Sequence, residues 1–197
     1  VSPKKVIQLA RDLGVTEEMP NEYAIALGST DITIYEMLGA YSSFANFGNY
    51  IKPEMVWRIE DANGRVIKEV KNETKEVMNE MYAYTMIDLM MGVTKFGTAS
   101  GELRRLGVPE TVEIAGKTGT TQNNSDGWFM GITPNLATGV WVGWEDRATH
   151  FWSTGEGQGA KMALPIWGIF MKKCYADSDL VVSKEPFEKP KDLQIKV

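Results

Sequence analysis

The sequence predicts an α+β fold in which helices flank an antiparallel sheet. Strand-forming residues dominate three closely spaced runs, residues 111–117, 127–133 and 137–144, and the short link between the last two suits an antiparallel meander. Apolar residues also recur at helical spacing both before and after these runs. With 197 residues and 43% hydrophobic composition, the chain can bury one sizeable core, and its length does not require a second domain.

Helical features begin at the N-terminus. Ser2 and Pro3 are typical of an N-cap and a first helical residue, and Gly14 is typical of a helix stop. A second helix is predicted to begin at residues 33–36, whose sequence TIYE is a capping box, and to end near Gly48. Each helix is expected to place one apolar face on the core.

A β-hairpin and a third helix are predicted next. Residues 54–60 and 65–70 are rich in strand formers and flank Asn63-Gly64, a dipeptide that tolerates positive φ at both central positions of a turn. Residues 74–95 have apolar side chains at helical spacing, and the helical pattern is predicted to break from Gly92 onward.

The C-terminal part is predicted to hold a glycine-rich loop, residues 153–159, and a last helix. The apolar stripe of this helix comprises Ala163, Ile166, Trp167, Phe170, Met171 and Cys174. Pro165 is expected near its first turn, where a missing N–H does least harm. Because the later residues are charged and include prolines, with little to bury, we expect one domain over residues 1–175 and a tail or linker over residues 176–197.

The composition excludes several kinds of function. A net charge of -5 and a pI near 5.1 offer no basic surface for a phosphate backbone, so nucleic acid is not an expected partner. Cys174 is the only cysteine and His150 the only histidine, which rules out an internal disulfide and a multi-histidine metal site. We expect neither a metal nor a cofactor. No apolar run reaches the roughly 18 residues of a membrane span, so any membrane anchor is expected in a segment outside this sequence.

The residues with the clearest chemical potential lie in the sequence IAGKTGTT, residues 114–121. Lys117 can hold a carboxylate or act on a neighbouring proton relay. The hydroxyls of Thr118 and Thr120 can donate to a carboxylate, and the Thr120 N–H could serve an oxyanion. Gly119 lets a ligand lie against the strand. A strand with these groups suits a site that grips an anionic acyl substrate.

The tripeptide Lys-Thr-Gly is a weak signal when it stands alone, because a solvated lysine followed by turn residues has the same sequence. Residues 116–118 also match the end of a phosphate-binding P-loop. That loop needs a glycine where Thr111 stands and a helix after the lysine, whereas strand and loop residues follow here. The P-loop alternative therefore fails.

Three other residues near the motif have less specific expectations. Asp126 is predicted to order the loop that follows the strand. His150 is expected to be a solvated residue, in a loop of residues 145–159 that could border a substrate cleft beside the motif strand. Trp152, in the glycine-rich part of that loop, is the tryptophan best placed to line a site.

The motif lies among longer segments that follow a known pattern. These segments are residues 26–29, 36–37, 40–41, 44–46, 97–99, 116–121, 126–131, 138–143 and 163–167. They resemble the transpeptidase domain of class A penicillin-binding proteins, whose wider superfamily has Lys-Thr-Gly as a signature. The resemblance covers roughly residues 1–175, which makes it far more specific than the tripeptide. It implies part of the penicillin-binding transpeptidase fold, which is serine β-lactamase-like.

The resemblance implies a serine D,D-transpeptidase that cross-links peptidoglycan stem peptides outside the cytoplasm, acts on D-Ala-D-Ala ends and is acylated by β-lactams. Carried over residue by residue, Lys117 would serve the proton relay and the Thr120 N–H the oxyanion hole. Substrate would be bound by Thr118, Gly119, Thr120 and Thr121. Because strand residues alternate between faces, Lys117 and Thr118 can both reach one cleft only from an edge strand with local twist.

Two other motifs of the family, the Ser-x-x-Lys that holds the nucleophile and the Ser-x-Asn of the relay, are not recognisable. Ser2-Pro3-Lys4-Lys5 matches the first only literally, since Ser2 is expected to be an N-cap. In Ser125-Asp126-Gly127, glycine stands where the second needs asparagine. The resemblance places Val1 just after the Ser-x-Asn segment of the family. We therefore expect an inactive fragment, which pairs with its missing N-terminal part along a bare sheet edge.

Two alternatives stay open at the level of sequence. A β-lactamase or a β-lactam-sensing receptor of the same fold would share the Lys-Thr-Gly strand but would need a deacylating base or a sensor helix. A non-catalytic binding or scaffold module would lack the upstream serine motif altogether.

Overall fold

The computed structural model describes residues 1–191 and 193. Its helices are α1 (Pro3–Asp12), α2 (Ile34–Ala45), α3 (Glu80–Lys95), α4 (Ser100–Leu106), α5 (Thr154–Gly157) and α6 (Gly159–Ala176). Its strands are β1 (Asn49–Ile51), β2 (Arg58–Glu60), β3 (Val66–Glu69), β4 (Thr74–Glu76), β5 (Ala115–Thr120), β6 (Gly127–Thr133) and β7 (Leu136–Val142). Short 3₁₀ turns lie at Tyr23–Leu27 and Gln122–Asn124. Among the described residues, no helix combines the length and the apolar character that crossing a membrane requires.

The main sheet is antiparallel, with the strand order β5-β6-β7. Helices α2 and α3 pack on one face, and α4 and α6 pack on the other. The predicted α+β class, an antiparallel sheet flanked by helices, is confirmed. β6 has the predicted bounds, whereas β5 begins at Ala115 and not at residue 111. Within the described part of the chain, β5 and β7 each have a strand neighbour on one side only, so both are edge strands.

The central strand β6 is buried on both faces, which explains its long run of apolar residues. Phe129 and Ile132 are fully buried and point to opposite faces, because side chains alternate along a strand. Phe129 packs with Trp167 of α6, and Ile132 packs with Tyr84 of α3. The sheet is thus the middle of three layers.

The first two helices begin largely as predicted. Ser2 is the N-cap of α1, although its side chain makes no capping hydrogen bond, and Pro3 is the first helical residue. Gly14 follows the end of the helix with φ +89°, a left-handed conformation that favours glycine. The capping box of α2 is confirmed: the Glu36 N–H donates to Thr33 Oγ1 over 3.2 Å, and the Thr33 N–H donates to Glu36 Oε2 over 3.3 Å.

The helix predicted from residue 74 begins later, because its first residues form a strand. β4 pairs with β1, and α3 starts only after Asn79, whose Oδ1 accepts a hydrogen bond from the Tyr82 N–H over 3.0 Å. The helix also continues through Gly92, where a break was expected. The short helix α4, which follows α3 closely, was not predicted.

The predicted hairpin is confirmed as β2 and β3, but the nature of its turn is different. Within this turn only Gly64 has positive φ, at +80°, so a tight turn with two left-handed residues does not form. Asp61 Oδ1 accepts hydrogen bonds from the N–H groups of Asn63 and Arg65, each over 2.9 Å. This carboxylate organises a wider turn, in which only the glycine has to be left-handed.

The last helix also differs from its predicted form. Because α6 begins at Gly159, Pro165 lies inside the helix and not in its first turn. Gly159 permits this early start: a Cβ there would lie 2.3 Å from a carbonyl oxygen of β5, so the helix begins directly against the sheet. Trp167 is fully buried as predicted, whereas Ile166 and Phe170 are 51% and 48% exposed, so their assignment to the buried stripe was wrong.

The described part of the segment after α6, residues 177–191 and 193, packs against the domain without forming a helix or strand. Phe187 is only 4% exposed and joins the apolar cluster beneath α3, and its N–H donates to Glu113 Oε2 over 2.9 Å. The Asn135 side chain holds the segment's backbone at two further points. The expectation of little burial in this segment is therefore wrong at Phe187. The predicted domain boundary remains a prediction, and residues 192 and 194–197 of the expected tail lie outside the described residues.

Replacing Phe187 with alanine is expected to lower the free energy of unfolding by about 3 kcal/mol, because a buried aromatic side chain leaves a cavity. Urea denaturation followed by circular dichroism measures this change. Val181→Ala is the matched control, since that side chain is 86% exposed in the same segment and its loss should change stability by less than about 0.5 kcal/mol. Equal stability of both variants would show that the segment does not dock in solution.

Candidate active site

The motif strand β5 turns one set of its backbone groups toward its open edge. The Thr121 N–H donates to the Asp126 carbonyl over 3.1 Å, which fixes the alternation of bonded and non-bonded pairs along the ladder. The N–H and C=O groups of Thr118 and Thr120 therefore point away from β6. Lys117 and Thr120 are exposed, so a ligand at this edge can reach both the Lys117 side chain and the Thr120 N–H.

Lys117 and Thr118 start on opposite faces of β5, as the alternation of a strand predicts. The Lys117 side chain nevertheless reaches the edge, because its Nζ donates to the Thr118 carbonyl oxygen there. The structure thus brings the Lys117 ammonium and the Thr120 N–H to the same edge. Their roles toward a substrate remain predictions.

The side chain of Thr118 is largely buried and makes a hydrogen bond to a second threonine. Thr118 is 9% exposed, and its Oγ1 lies 2.8 Å from Oγ1 of Thr98, in the turn between α3 and α4. Thr98 is itself exposed. Sequence reasoning placed residues 97–99 in a turn that resembles the family but gave Thr98 no role. A hydroxyl residue in such a turn was the only available signal.

Thr120 is bound to the start of α6. Its Oγ1 accepts a hydrogen bond from the Gly159 N–H over 3.0 Å, which leaves the Thr120 hydroxyl proton available to another acceptor. At Gly119, a Cβ would lie 3.0 Å from Cβ of Trp128, its partner on β6. Close packing against this tryptophan is therefore one reason for glycine at this position, and the access of a ligand to Gly119 remains a prediction.

A compact turn follows β5 and is held by Asp126. This buried carboxylate accepts hydrogen bonds from the Ser125 hydroxyl over 2.8 Å and from Trp141 Nε1 over 3.0 Å. The backbone N–H of Asp126 donates to Thr121 Oγ1 over 2.9 Å. The prediction that Asp126 orders this loop is confirmed. Since the Thr121 hydroxyl is engaged within the turn, its role in substrate binding remains a prediction.

The loop of residues 145–159 packs beside this turn. The Phe151 N–H donates to the carbonyl of Asn124 over 3.2 Å. His150 is partly exposed and lies edge-on to Trp152 at 5.9 Å between ring centroids. Trp152 is 93% exposed. Its predicted role in lining a site remains a prediction.

Glu102 connects helices α4 and α6, beside the contacts of Thr118 and Thr120. Its side chain is 5% exposed, binds Arg105 within α4, and accepts a hydrogen bond from Lys161 of α6 over 3.3 Å. Hydrogen bonds from Arg105 lower the pKa of Glu102 below its usual 4.5; burial opposes this shift, and Lys161 adds to it. The carboxylate therefore stays charged and ties α4 to α6.

Glu102→Gln is expected to lower the free energy of unfolding at neutral pH by about 1.5 kcal/mol, through loss of charged hydrogen bonds. Because the folded pKa lies below 4.5, this stabilisation is complete above pH 4.5 and is lost as the pH falls through the folded pKa. The stability difference between the parent chain and the variant should therefore shrink in that range. Urea denaturation at several pH values measures it, with the exposed Glu110→Gln as control. A constant difference across pH would contradict this account.

The literal Ser-x-x-Lys match does not form a buried catalytic helix. Ser2 is exposed and is the N-cap of α1, a helix without a single buried residue. Position and exposure agree with the N-cap expected from the sequence.

The sequence comparisons agree with the resemblance seen at the motif. A family model described as the penicillin binding protein transpeptidase domain matches residues 14–157. Penicillin-binding protein 1A of Aquifex aeolicus (strain VF5) is 35% identical over 195 residues, which cover 95% of this chain and 26% of that protein. Penicillin-binding protein 2D of Bacillus subtilis (strain 168) is 32% identical over 185 residues, covering 92% of this chain and 26% of that protein. The chain thus spans about a quarter of the length of these relatives.

Solved structures show the same fold. The penicillin-binding protein PonA1 from Mycobacterium tuberculosis, in complex with penicillin V, matches with a TM-score of 0.78 and 24% identity, covering 96% of this chain and 53% of that chain. Penicillin-binding protein 1A from Haemophilus influenzae matches with a TM-score of 0.75 and 23% identity, covering 93% of this chain and 32% of that chain. The predicted partial transpeptidase fold is confirmed. With the family model matching most of its length, the chain belongs to the penicillin-binding protein transpeptidase domain family.

Proposed function

We propose that this chain is the part of a serine D,D-transpeptidase that contains the substrate-binding strand, β5. The whole enzyme cross-links peptidoglycan stem peptides and is acylated by β-lactams. The observation that carries the proposal is the open edge of β5, where the Lys117 ammonium and the outward-pointing Thr120 N–H lie together. These are the groups that an acyl-transfer site needs beside its nucleophile.

In the proposed reaction, a serine hydroxyl attacks the carbonyl carbon of the D-Ala-D-Ala bond, and its proton passes to a base near Lys117. The negative oxygen that forms receives a hydrogen bond from the Thr120 N–H. The bond to the terminal D-Ala breaks, its nitrogen takes up a proton, and an acyl-enzyme remains. An amine of a second stem peptide then displaces the serine and completes the cross-link.

The same strand is proposed to hold the substrate's terminal carboxylate. Thr120 retains a hydroxyl proton after accepting the Gly159 N–H, and Thr118 stands two residues earlier on the same face. Gly119 gives the ligand backbone access to the strand between them. A carboxylate placed here would also be attracted by the Lys117 ammonium.

We further propose that the nucleophile comes from another segment of the protein, because no serine of this chain matches the family's first motif except the exposed Ser2. That segment would pair with an open sheet edge and complete the cleft. Peptidoglycan lies outside the cytoplasm, so the site is proposed to be extracytoplasmic and anchored through a segment outside this sequence.

A fluorescent penicillin tests this proposal. The chain alone is expected to give no covalent label after denaturing electrophoresis. The joined polypeptide, meaning this chain continuous with the segment that carries the serine, is expected to be labelled, and its Ser→Ala variant at that position is not. Covalent labelling of Ser2 or of another residue in the isolated chain would contradict the proposal that the nucleophile lies in another segment. Fast, repeated hydrolysis of a chromogenic cephalosporin by the joined polypeptide would instead favour a β-lactamase.

A further inference from the structure

Thr98 lies outside the Lys-Thr-Gly motif, but its hydroxyl is hydrogen-bonded to that of Thr118 within the motif. We propose that Thr98 is a positioning residue that directs the Thr118 hydroxyl proton toward the substrate's terminal carboxylate. This inference rests on the proposed function of β5 and adds a determinant of carboxylate recognition that the motif itself does not contain.

The turn that carries Thr98 is held firmly in place. The Gly97 N–H donates to the carbonyl of Gly92 over 2.9 Å, and the Ala99 N–H donates to that of Val93 over 3.1 Å. Ala99 is fully buried in the cluster of α4 and α6. A Cβ at Gly97 would lie 2.8 Å from Cα of Val93, so the turn closes tightly on α3. The backbone of the turn is therefore held on α3, and the Thr98 hydroxyl lies within hydrogen-bond distance of Thr118.

The direction of the bond between the two hydroxyls decides what Thr118 can offer. Each hydroxyl has a single proton, and at 2.8 Å one of the two must be the donor. If Thr98 donates to Thr118, the Thr118 proton remains for an acceptor at the edge of β5. If Thr118 donates to Thr98, that proton is used. A carboxylate only accepts hydrogen bonds, so its arrival selects the first direction, and the two bonds in series strengthen each other.

The second motif threonine is held from the other side of the same scaffold. Thr120 accepts the Gly159 N–H at the start of α6, and Lys161 of α6 binds Glu102 of α4. Thr98 immediately precedes the buried start of α4. The partner of Thr118 thus lies in the turn just before α4 and the partner of Thr120 at the start of α6, and a buried carboxylate ties these two helices together. This keeps the spacing of the two hydroxyls constant, as recognition of one carboxylate group requires.

The test compares acylation of the joined polypeptide by a penicillin and by the methyl ester of the same penicillin. Thr98→Val keeps the shape of the side chain but removes the hydroxyl. It is expected to reduce the acylation efficiency toward the carboxylate form by about 10-fold. The loss should lie in the apparent binding constant and leave the limiting acylation rate nearly unchanged. The ester should react equally with both proteins, and Thr98→Ser should restore most of the efficiency toward the carboxylate form.

Each outcome distinguishes the inference from the function on which it rests. No acylation of the unsubstituted joined polypeptide would overturn the proposed function, and with it this inference. Normal acylation combined with an unchanged efficiency in Thr98→Val would overturn the role of Thr98 alone. An equal loss toward acid and ester would show a structural role and would also overturn it. Circular dichroism checks folding, and if the valine variant is unfolded, Thr98→Ala replaces it with the same expected pattern.

Discussion

Replacing Lys117 with alanine in the joined polypeptide is expected to slow acylation by penicillin by about 100-fold or more. The ammonium lies at the open edge of β5, where it would both stabilise the substrate carboxylate and assist the proton relay of the serine. Removal of a group that takes part in proton transfer generally costs about 10²-fold to 10⁴-fold in rate. The rate of covalent labelling by a fluorescent penicillin measures the effect.

Two further variants make the Lys117 experiment specific. Lys68→Ala removes an exposed lysine of the distant hairpin strand β3, and it should leave the labelling rate unchanged. Lys117→Arg keeps the charge but not the compact ammonium, so it is expected to retain carboxylate attraction while supporting the relay poorly. If Lys117→Ala labels as fast as the parent protein, the edge of β5 is not the reacting site.

The largest loss of stability is expected for Trp167→Ala, at about 3–5 kcal/mol. Trp167 is fully buried, and its ring lies 5.0 Å from that of Phe129 in an edge-to-face arrangement. A Cβ at Gly131 would lie 2.5 Å from the indole, so the strand has no side chain there that could fill the cavity. The indole N–H donates a hydrogen bond to the Thr138 hydroxyl, and the substitution would remove this donor.

Urea denaturation followed by circular dichroism measures this loss of stability. Ile166→Ala is the matched control, because its side chain is adjacent in the same helix and 51% exposed. Its unfolding free energy should change by less than about 1 kcal/mol. A similar loss in both variants would mean that α6 presents a different face to the sheet from the one described.

The elements that the sequence predicts correctly are those in which one physical signal dominates. β6 was found with its full bounds because it is buried on both faces and lies between clear turn residues. The capping box at Thr33 and Glu36 was found because both partners lie within one helical turn. Around the site, the alternation of a strand correctly placed Lys117 and Thr118 on opposite faces, and it required an edge strand for them to converge.

The misses concern contacts between residues far apart in sequence. Thr98 and Thr118 are 20 positions apart, and no local pattern indicates that their hydroxyls meet. The sequence predicts a helix where β4 lies, because a strand of three residues is too short to show alternation and only its pairing with β1 defines it. The sequence predicts a tail at Phe187 because the neighbouring residues are charged, and no local pattern indicates that this one side chain is buried in the core. Tertiary packing decided each of these positions.

The pairing of β1 with β4 has a consequence for how the protein could be modified. It brings residues 51 and 74 side by side, so the chain between them leaves the domain and returns at one place. The turn of the β2–β3 hairpin contains Gly64, where a Cβ would meet no other atom within 4 Å. A fluorescent protein or an affinity tag inserted at this turn would be carried on the hairpin and the β1–β4 stem, leaving the β5 edge unobstructed for reporter penicillins.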